Sequence, residues 1–484
     1  MMTFQSIPFN VKKLTMLLGG YAIAMTPPAV NAAEWIVSPA VRVGQIYTDN
    51  ALLTNSDTRS ESITQIRPSI SLYKEGARAT VDINYAPQYN RYWQDTQNNE
   101  LIHYLRADGK TELLEDHLYV NGWANADVSN ISSISRTGVD ALSGRNNTTE
   151  VYTVGVSPYF TAHMSNFATL EARYTADSVN YSAAGLDDNK GQRADLVVGS
   201  GSAFNNQIWE LSASKNVVDY HSLSDNNEST RYKADFIQQL THQWALAFAA
   251  GHESYKPAIT PDLSGSIWSV GFIYTPTPRT RLAMGGGERA FGSDYYLDFN
   301  HRSARSVWTA NYRRDYTTAR DEVMHPTLFG RHDAFGNLVR DAVLDNPPVI
   351  ERGDSPTLGP DYYEIEEFTT SYTLATGRST LNINAGQTKR IYDLSVDNTR
   401  DLRVGAWLRR NLSQRLDSRL RLDRLDHKEQ VLDYKQWVAA IEVGYTVGAN
   451  SSLSASLAHL KRNAQTDADS YDENRIGVYF TSTF

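Results

Sequence analysis

The chain has 484 residues, with 46 lysines and arginines against 55 aspartates and glutamates, and no cysteine. The acidic balance leaves no basic face for nucleic acid. The missing thiols exclude disulfides, thiolate metal sites and covalent haem attachment together.

Residues 1–32 hold two charges, Lys12 and Lys13, then the apolar run LTMLLGGYAIAM, then PPAVNA ending on Ala32. That order predicts a secretory signal peptide whose apolar core is too short to span a membrane. Without it, 44 basic residues (46 − 2) face 55 acidic ones, a net charge of −11. The remainder, 33–484, is expected to be one domain. It contains no apolar run long enough for a transmembrane helix, yet it carries 28 tyrosines and nine tryptophans. A membrane crossed by strands reconciles these facts, because only the outward row of each strand need be apolar.

From about Glu34 onward no stretch sustains a helical period, and alternation recurs instead. ARATVDINYA sets Ala79, Val81, Ile83 and Tyr85 against Arg78, Thr80, Asp82 and Asn84. ATLEARYTAD sets Ala168, Leu170, Ala172 and Tyr174 against Thr169, Glu171, Arg173 and Thr175. LDSRLRLD sets Leu416, Ser418, Leu420 and Leu422 against Asp417, Arg419, Arg421 and Asp423. Alternation alone would also fit a sandwich with one solvated face.

The connections separate the two. Short links at 74–76, 114–116, 241–243, 376–378, 412–414 and 448–450 alternate with long polar ones at 130–147, 182–191, 221–229 and 463–470. Tight turns on one side and long loops on the other mark an outer-membrane barrel. The fold class expected is therefore all-β, a transmembrane antiparallel outer-membrane β-barrel of about 22 strands (range about 18 to 24), integral to a Gram-negative outer membrane. Both termini fall on the periplasmic side. Trp209 and Trp244 beside short turns, with Trp268 and Trp437 on strands leaving long loops, fit two aromatic girdles.

One segment breaks the rhythm. Roughly 317–361 is too long for a plain connection, and its apolar stretches LFGRH and NLVRDAVLDNPPVI argue for packing. An inward fold that narrows the pore is expected, with an outward cap as the alternative. Further on, the C-terminal RIGVYFTSTF reads as the closing strand. Its row Ile476, Val478, Phe480, Ser482 and Phe484 is apolar except at Ser482. Phe480 and Phe484 resemble the C-terminal signal read by the barrel assembly machinery, with Ser482 standing where an apolar residue is usual.

MGGGERAFG (284–292) lacks the Lys-Ser/Thr of a phosphate loop, so its glycines are read as strand bends or close approaches. His252-Glu253 and Asp426-His427 are read as solvated pairs near strand ends. No catalytic triple, cofactor site or metal site is nominated, and the chain is not expected to be an enzyme. The inward rows nominate Arg78, Asp82, Glu171, Arg173, Arg403, Arg409, Asp417, Arg419, Arg421 and Asp423 as lumen-lining residues, with pairing of charges across strands as the plain structural reading.

The segments IYTDNALLTNSDTRSESITQIRPSISLYKEGARATVDINYAPQYNRY (46–92) and HYLRADGKTELLEDHLYVNGWA (103–124) resemble the β-barrel porin 2 group. More narrowly they resemble the outer-membrane proteins associated with exosortase and exopolysaccharide gene clusters. The resemblance implies a barrel linked to export of a surface polysaccharide. Its partners would be outer-membrane lipid, the assembly machinery, polysaccharide export or co-polymerase proteins and the polysaccharide itself, with no nucleic acid and no cofactor. A general diffusion porin for small hydrophilic solutes and a non-transporting polymer anchor or adhesin are the alternatives. Plugged siderophore transporters are disfavoured, because too few residues precede the first strand to form a plug.

Overall fold

The structure, a computed structural model, describes residues 35–136, 138, 142–324, 356–393 and 398–484. The expected signal peptide and the middle of the long segment, 325–355, lie outside the described residues. The first strand segments are β1 (Ile36–Thr48), β2 (Glu61–Glu75), β3 (Ala79–Tyr85), β4 (Gln88–Tyr92), β5 (Glu100–Ile102), β6 (Leu105–Leu114), β7 (Leu118–Asn130) and β8 (Thr148–Met164). Next come β9 (Ala168–Tyr181), β10 (Asn189–Ser200), β11 (Gln207–Tyr220), β12 (Asn227–Gln239), β13 (Trp244–Lys256), β14 (Leu263–Thr277), β15 (Thr280–Arg289) and β16 (Gly292–Arg302). The last are β17 (Ser306–Thr318), β18 (Tyr362–Ala375), β19 (Ser379–Tyr392), β20 (Thr399–Asn411), β21 (Leu416–Lys428), β22 (Tyr434–Thr446), β23 (Ser451–Ala464) and β24 (Tyr471–Thr483).

β2 pairs with β3 over one half and with β4 over the other, while β3 pairs with β6 and β4 with β5. Pro87, which has no N–H to donate, lies at the break. Each of these two couples is thus one interrupted strand, and the 24 segments make 22 strands (24 − 2), the number expected. All pairings are antiparallel, and β1 closes the ring on β24 from Ala40↔Thr483 to Thr48↔Arg475. Closure satisfies the backbone groups that hydrocarbon could not. The closing strand runs as the alternation of RIGVYFTSTF requires, and Phe484 donates its N–H to the Pro39 carbonyl at 3.0 Å.

At the seam Tyr479 lies opposite Gly44, and its ring occupies the space where a Cβ on residue 44 would stand. Arg42 covers the same ring at 4.1 Å from its centroid. In the MGGGERAFG stretch, Gly285 pairs with Tyr296, whose ring leaves no room for a side chain there. These glycines serve close approach, as expected.

The turns at 76–78, 115–117, 165–167, 240–243, 376–378, 412–415 and 447–450 lie at the end that also holds residues 35 and 484. The connections 49–60, 182–188 and 257–262, with the described parts of 131–147 and 319–361, lie at the other. Outward rows carry Val404, Leu420, Leu422, Val478 and Phe480, all exposed. Trp244, Trp268 and Trp437 are also exposed, Trp244 as the first residue of β13 and Trp437 three residues into β22. Trp209 lies near the short-turn end, where it packs with Phe167 and Phe204.

Candidate functional site: the lumen and its cap

Inward rows are polar because the barrel encloses water at one end and its own loops at the other. Along β21, side-chain exposure falls from Asp417 (28%) and Arg421 (22%) through Asp423 (12%) to His427 (1%). β9 repeats the gradient from Glu171 (39%) and Arg173 (25%) to Asp177 (7%). The lumen is therefore open at the short-turn end and filled at the long-loop end.

Among the described residues, three connections reach far into it. Ala51 and Leu53, from the link after β1, are fully buried, and Leu53 packs on Val438, Leu460 and Tyr471. The β7–β8 link reaches β23, where Arg462 donates to the Ile134 carbonyl at 2.5 Å and the Ser135 carbonyl at 3.1 Å. Arg462 also covers the Tyr434 ring at 3.7 Å. The two links meet through Arg136, which donates to the Leu53 carbonyl at 2.9 Å.

The third is the flank of the long segment. β17 runs directly into a six-residue helix, Ala319–Met324, which the alternation did not announce. Thr318 caps it by accepting the Asp321 N–H at 3.3 Å. Arg320, 3% exposed, donates to Asp177 on β9 and to Asn189 on β10 at 2.5 Å. Gly191 leaves the space the guanidinium occupies. From the same helix, Glu322 accepts from Arg390 on β19 at 2.7 Å and from the Tyr363 hydroxyl on β18 at 2.6 Å. β9 is the seventh strand of the ring and β19 the seventeenth, ten places apart in 22. The helix thus ties opposed walls together.

On the return, Leu358 donates its N–H to Ile131 at 3.1 Å and packs with Ala319, Tyr363 and Ile365. Asn227 on β12 donates to the Pro360 carbonyl at 2.8 Å. The Asp361 carboxyl is held above its ordinary range by burial and by the neighbouring Asp393 carboxylate. The described ends of the long segment, 319–324 and 356–361, therefore pack inward, while 325–355, on which the expected narrowing of the pore depends, lie outside the described residues.

Below the helix lies a cavity of about 820 Å³, bounded by Arg320 and Met324 above and by Asp82, Trp123, Arg173 and Asp195 on the walls. Charges on the inward rows pair across strands, as expected, for example Arg281 with Asp298 at 3.2 Å and Arg313 with Glu367 at 2.6 Å, and they also pair along strands. Arg173 meets Glu171 at 2.9 Å, Arg193 meets Asp195 at 2.8 Å, and Lys233 meets Asp235 at 2.8 Å. Residues two apart share a face and long side chains lean along the strand, so a partner within the strand is in reach as well. Arg421 pairs in the same way with Asp423, and Arg419 lies 3.6 Å from Asp417.

Nine of the ten nominated residues lie on inward rows: Asp82, Glu171, Arg173, Arg403, Arg409, Asp417, Arg419, Arg421 and Asp423. Arg403 is buried at the filled end, and Arg409 lies toward the open one. Arg78 is the correction: it sits in the turn before β3, exposed, and pairs with Glu115 of the next turn at 2.9 Å, at the rim and not on the wall. The two solvated pairs are corrected as well. Glu253 is fully buried between Arg289 at 2.8 Å and Arg231 at 3.2 Å, while His427 is held by Asp401 at 2.6 Å and Glu429 at 3.1 Å. Adjacent strand residues point to opposite faces, so His252 and Asp426 point away from the lumen.

Compared by sequence, the chain matches no family model and no curated protein. Compared by structure, it is similar to the FrpB iron transporter of Neisseria meningitidis (F3-3 variant), at TM-score 0.52 and 10% identity over 92% of this chain and 81% of that one. It is also similar to the siderophore receptor PirA of Acinetobacter baumannii, at 0.51 and 9% over 94% and 81%. A third is the ferric-catecholate import receptor Fiu of E. coli K12, at 0.50 and 10% over 94% and 82%. The chain is an integral outer-membrane β-barrel. At such identity the likeness shows the fold alone.

Proposed function

We propose that this barrel is a gated outer-membrane channel through which a hydrated surface polysaccharide leaves the cell. The observation that carries the reading is the inward surface, a ladder of paired charges of both signs running from the open periplasmic end to the inward-folded cap. Such a wall offers a polymer many weak, replaceable hydrogen bonds and selects neither ion sign strongly. The cap keeps small solutes from leaking when no polymer is in transit. Export or co-polymerase proteins on the periplasmic side would deliver the chain end, and no bond is made or broken in the barrel. The resemblance of residues 46–92 and 103–124 to barrels of exopolysaccharide clusters supports the same direction of transport.

A second reading, uptake of a solute from outside, is favoured by the fold it shares with the iron transporter and siderophore receptors named above. Gene deletion separates the two. Export requires that released polymer fall while solute uptake is unchanged. Normal polymer release together with slowed uptake of a small solute would establish the second reading.

A further inference from the structure

Outward rows are apolar where lipid covers them, yet on one flank they end in cations at the long-loop end. Lys389 on β19 lies directly opposite Arg400 on β20, which lies directly opposite Lys428 on β21. All three continue rows that present Ile383, Leu402, Val404, Leu420 and Leu422 to lipid. Strands stand about 4.8 Å apart, so three positive charges are aligned within roughly 10 Å. Like charges directly opposite one another destabilise a sheet.

The neighbouring acids offset this row only in part. Lys389 pairs with Glu366 at 3.7 Å, a carboxylate that Arg314 approaches equally closely, and among the described residues Arg400 donates to the neutral amide of Gln387 at 2.8 Å. Asp426, two residues before Lys428, is already held by Arg424 at 2.6 Å. Lys435 on β22 extends the patch opposite Asp426. Trp437 marks the level, with the Arg424 guanidinium 4.8 Å from its ring centroid, as expected at a membrane interface. The far flank is built differently. There Lys190 lies opposite Asp219, Lys256 lies opposite Glu228, and Lys215 reaches Glu228 at 3.4 Å.

We infer that the outward face of β19–β22 binds the phosphates of lipopolysaccharide in the outer leaflet. The cations stand just above the apolar rows, where that headgroup lies, and a bound phosphate removes the repulsion that the register imposes. The inference rests on the barrel and its membrane, independently of what passes through the lumen.

The test titrates the full-length protein in detergent with lipopolysaccharide and with enzymatically dephosphorylated lipopolysaccharide. Each cation beside an anionic lipid surface is worth about fivefold, so Arg400→Gln with Lys428→Gln should weaken binding roughly 30-fold. Lys215→Gln on the far flank should leave binding unchanged, and dephosphorylated lipid should bind the parent as weakly as the double variant binds the intact lipid. Heat-modifiable migration on gels reports that the variants are folded. If the double variant fails to fold, Arg400→Gln alone should still lose about fivefold. Parent-level binding by a folded Arg400 variant, or an equal loss in Lys215→Gln, overturns the assignment.

Discussion

Arg320, two residues beyond the end of β17, holds the carboxylate of Asp177 on β9, so the long segment is fastened to the far wall by its first turn. Both side chains are more than nine-tenths buried. Removing one partner of such a pair costs about 3 to 5 kcal/mol, because the other is left buried and uncompensated. Arg320→Ala should therefore favour the open state by roughly a hundredfold or more. Planar-bilayer recordings should show larger or more frequent openings, with β circular dichroism unchanged. Conductance equal to the parent's would mean that the helix is no gate.

Inward and outward rows should answer substitution in opposite ways. Leu420 faces lipid, and arginine in its place should cost about 2 to 4 kcal/mol near mid-membrane. Arg421 faces the lumen beside Asp423, and Arg421→Gln should cost only about 0 to 1 kcal/mol. Its effect should be electrical: with the positive charge gone, Asp423 is less compensated and selectivity shifts toward cations. Reversal potentials in a salt gradient measure this, and a loss of folding without such a shift would show the register to be wrong.

The Phe484 side chain is 75% exposed, although its N–H joins the sheet. Deleting Phe484 should thus leave the denaturation midpoint of the refolded barrel within about 1 kcal/mol of the parent, since one exposed contact and one hydrogen bond are lost. The amount reaching the outer membrane in cells should fall instead. Equal losses in both assays would assign Phe484 to stability and not to recognition.

Glu253 receives Arg289, Arg231, the Tyr255 hydroxyl at 3.0 Å and the Ala290 N–H at 3.1 Å with no exposure of its own. Glu253→Ala leaves Arg289 buried with Asp315 at 3.0 Å and the Tyr255 hydroxyl at 3.2 Å. We expect about 3 to 5 kcal/mol of local destabilisation, seen as faster amide exchange at the long-loop end of β13 to β17. Exchange unchanged there would place the stability of the cap elsewhere.

The strand number and both faces were legible because alternation is a local property: Arg421 and Leu422 reveal their sides from five or six residues of context. The cap was not. Leu53, Ser143 and Arg320 carry no pattern that marks them as buried, since what buries them is a wall brought near by ring closure. Ser143, for example, donates to Glu473 at 2.6 Å across 330 residues of chain. His427 and Glu253 were misread for a different reason. Each was paired with its neighbour in sequence, whereas the strand period assigns that neighbour to the opposite face. Arg78 shared the inward parity of Asp82 but fell one residue before β3, where parity no longer determines direction.

The seam between β1 and β24 also sets an order of events. Its two strands are the first and the last of the ring in chain order, so the ladder that closes the ring cannot form until the last strand has been made. Until then the growing sheet presents two open edges, each a template for pairing with another chain. Tyr479 and Gly44 fit one another only in the correct register, so the seam itself can reject a slipped closure. A lesion here would therefore be felt as chains lost during insertion, before any finished barrel could be weakened by it.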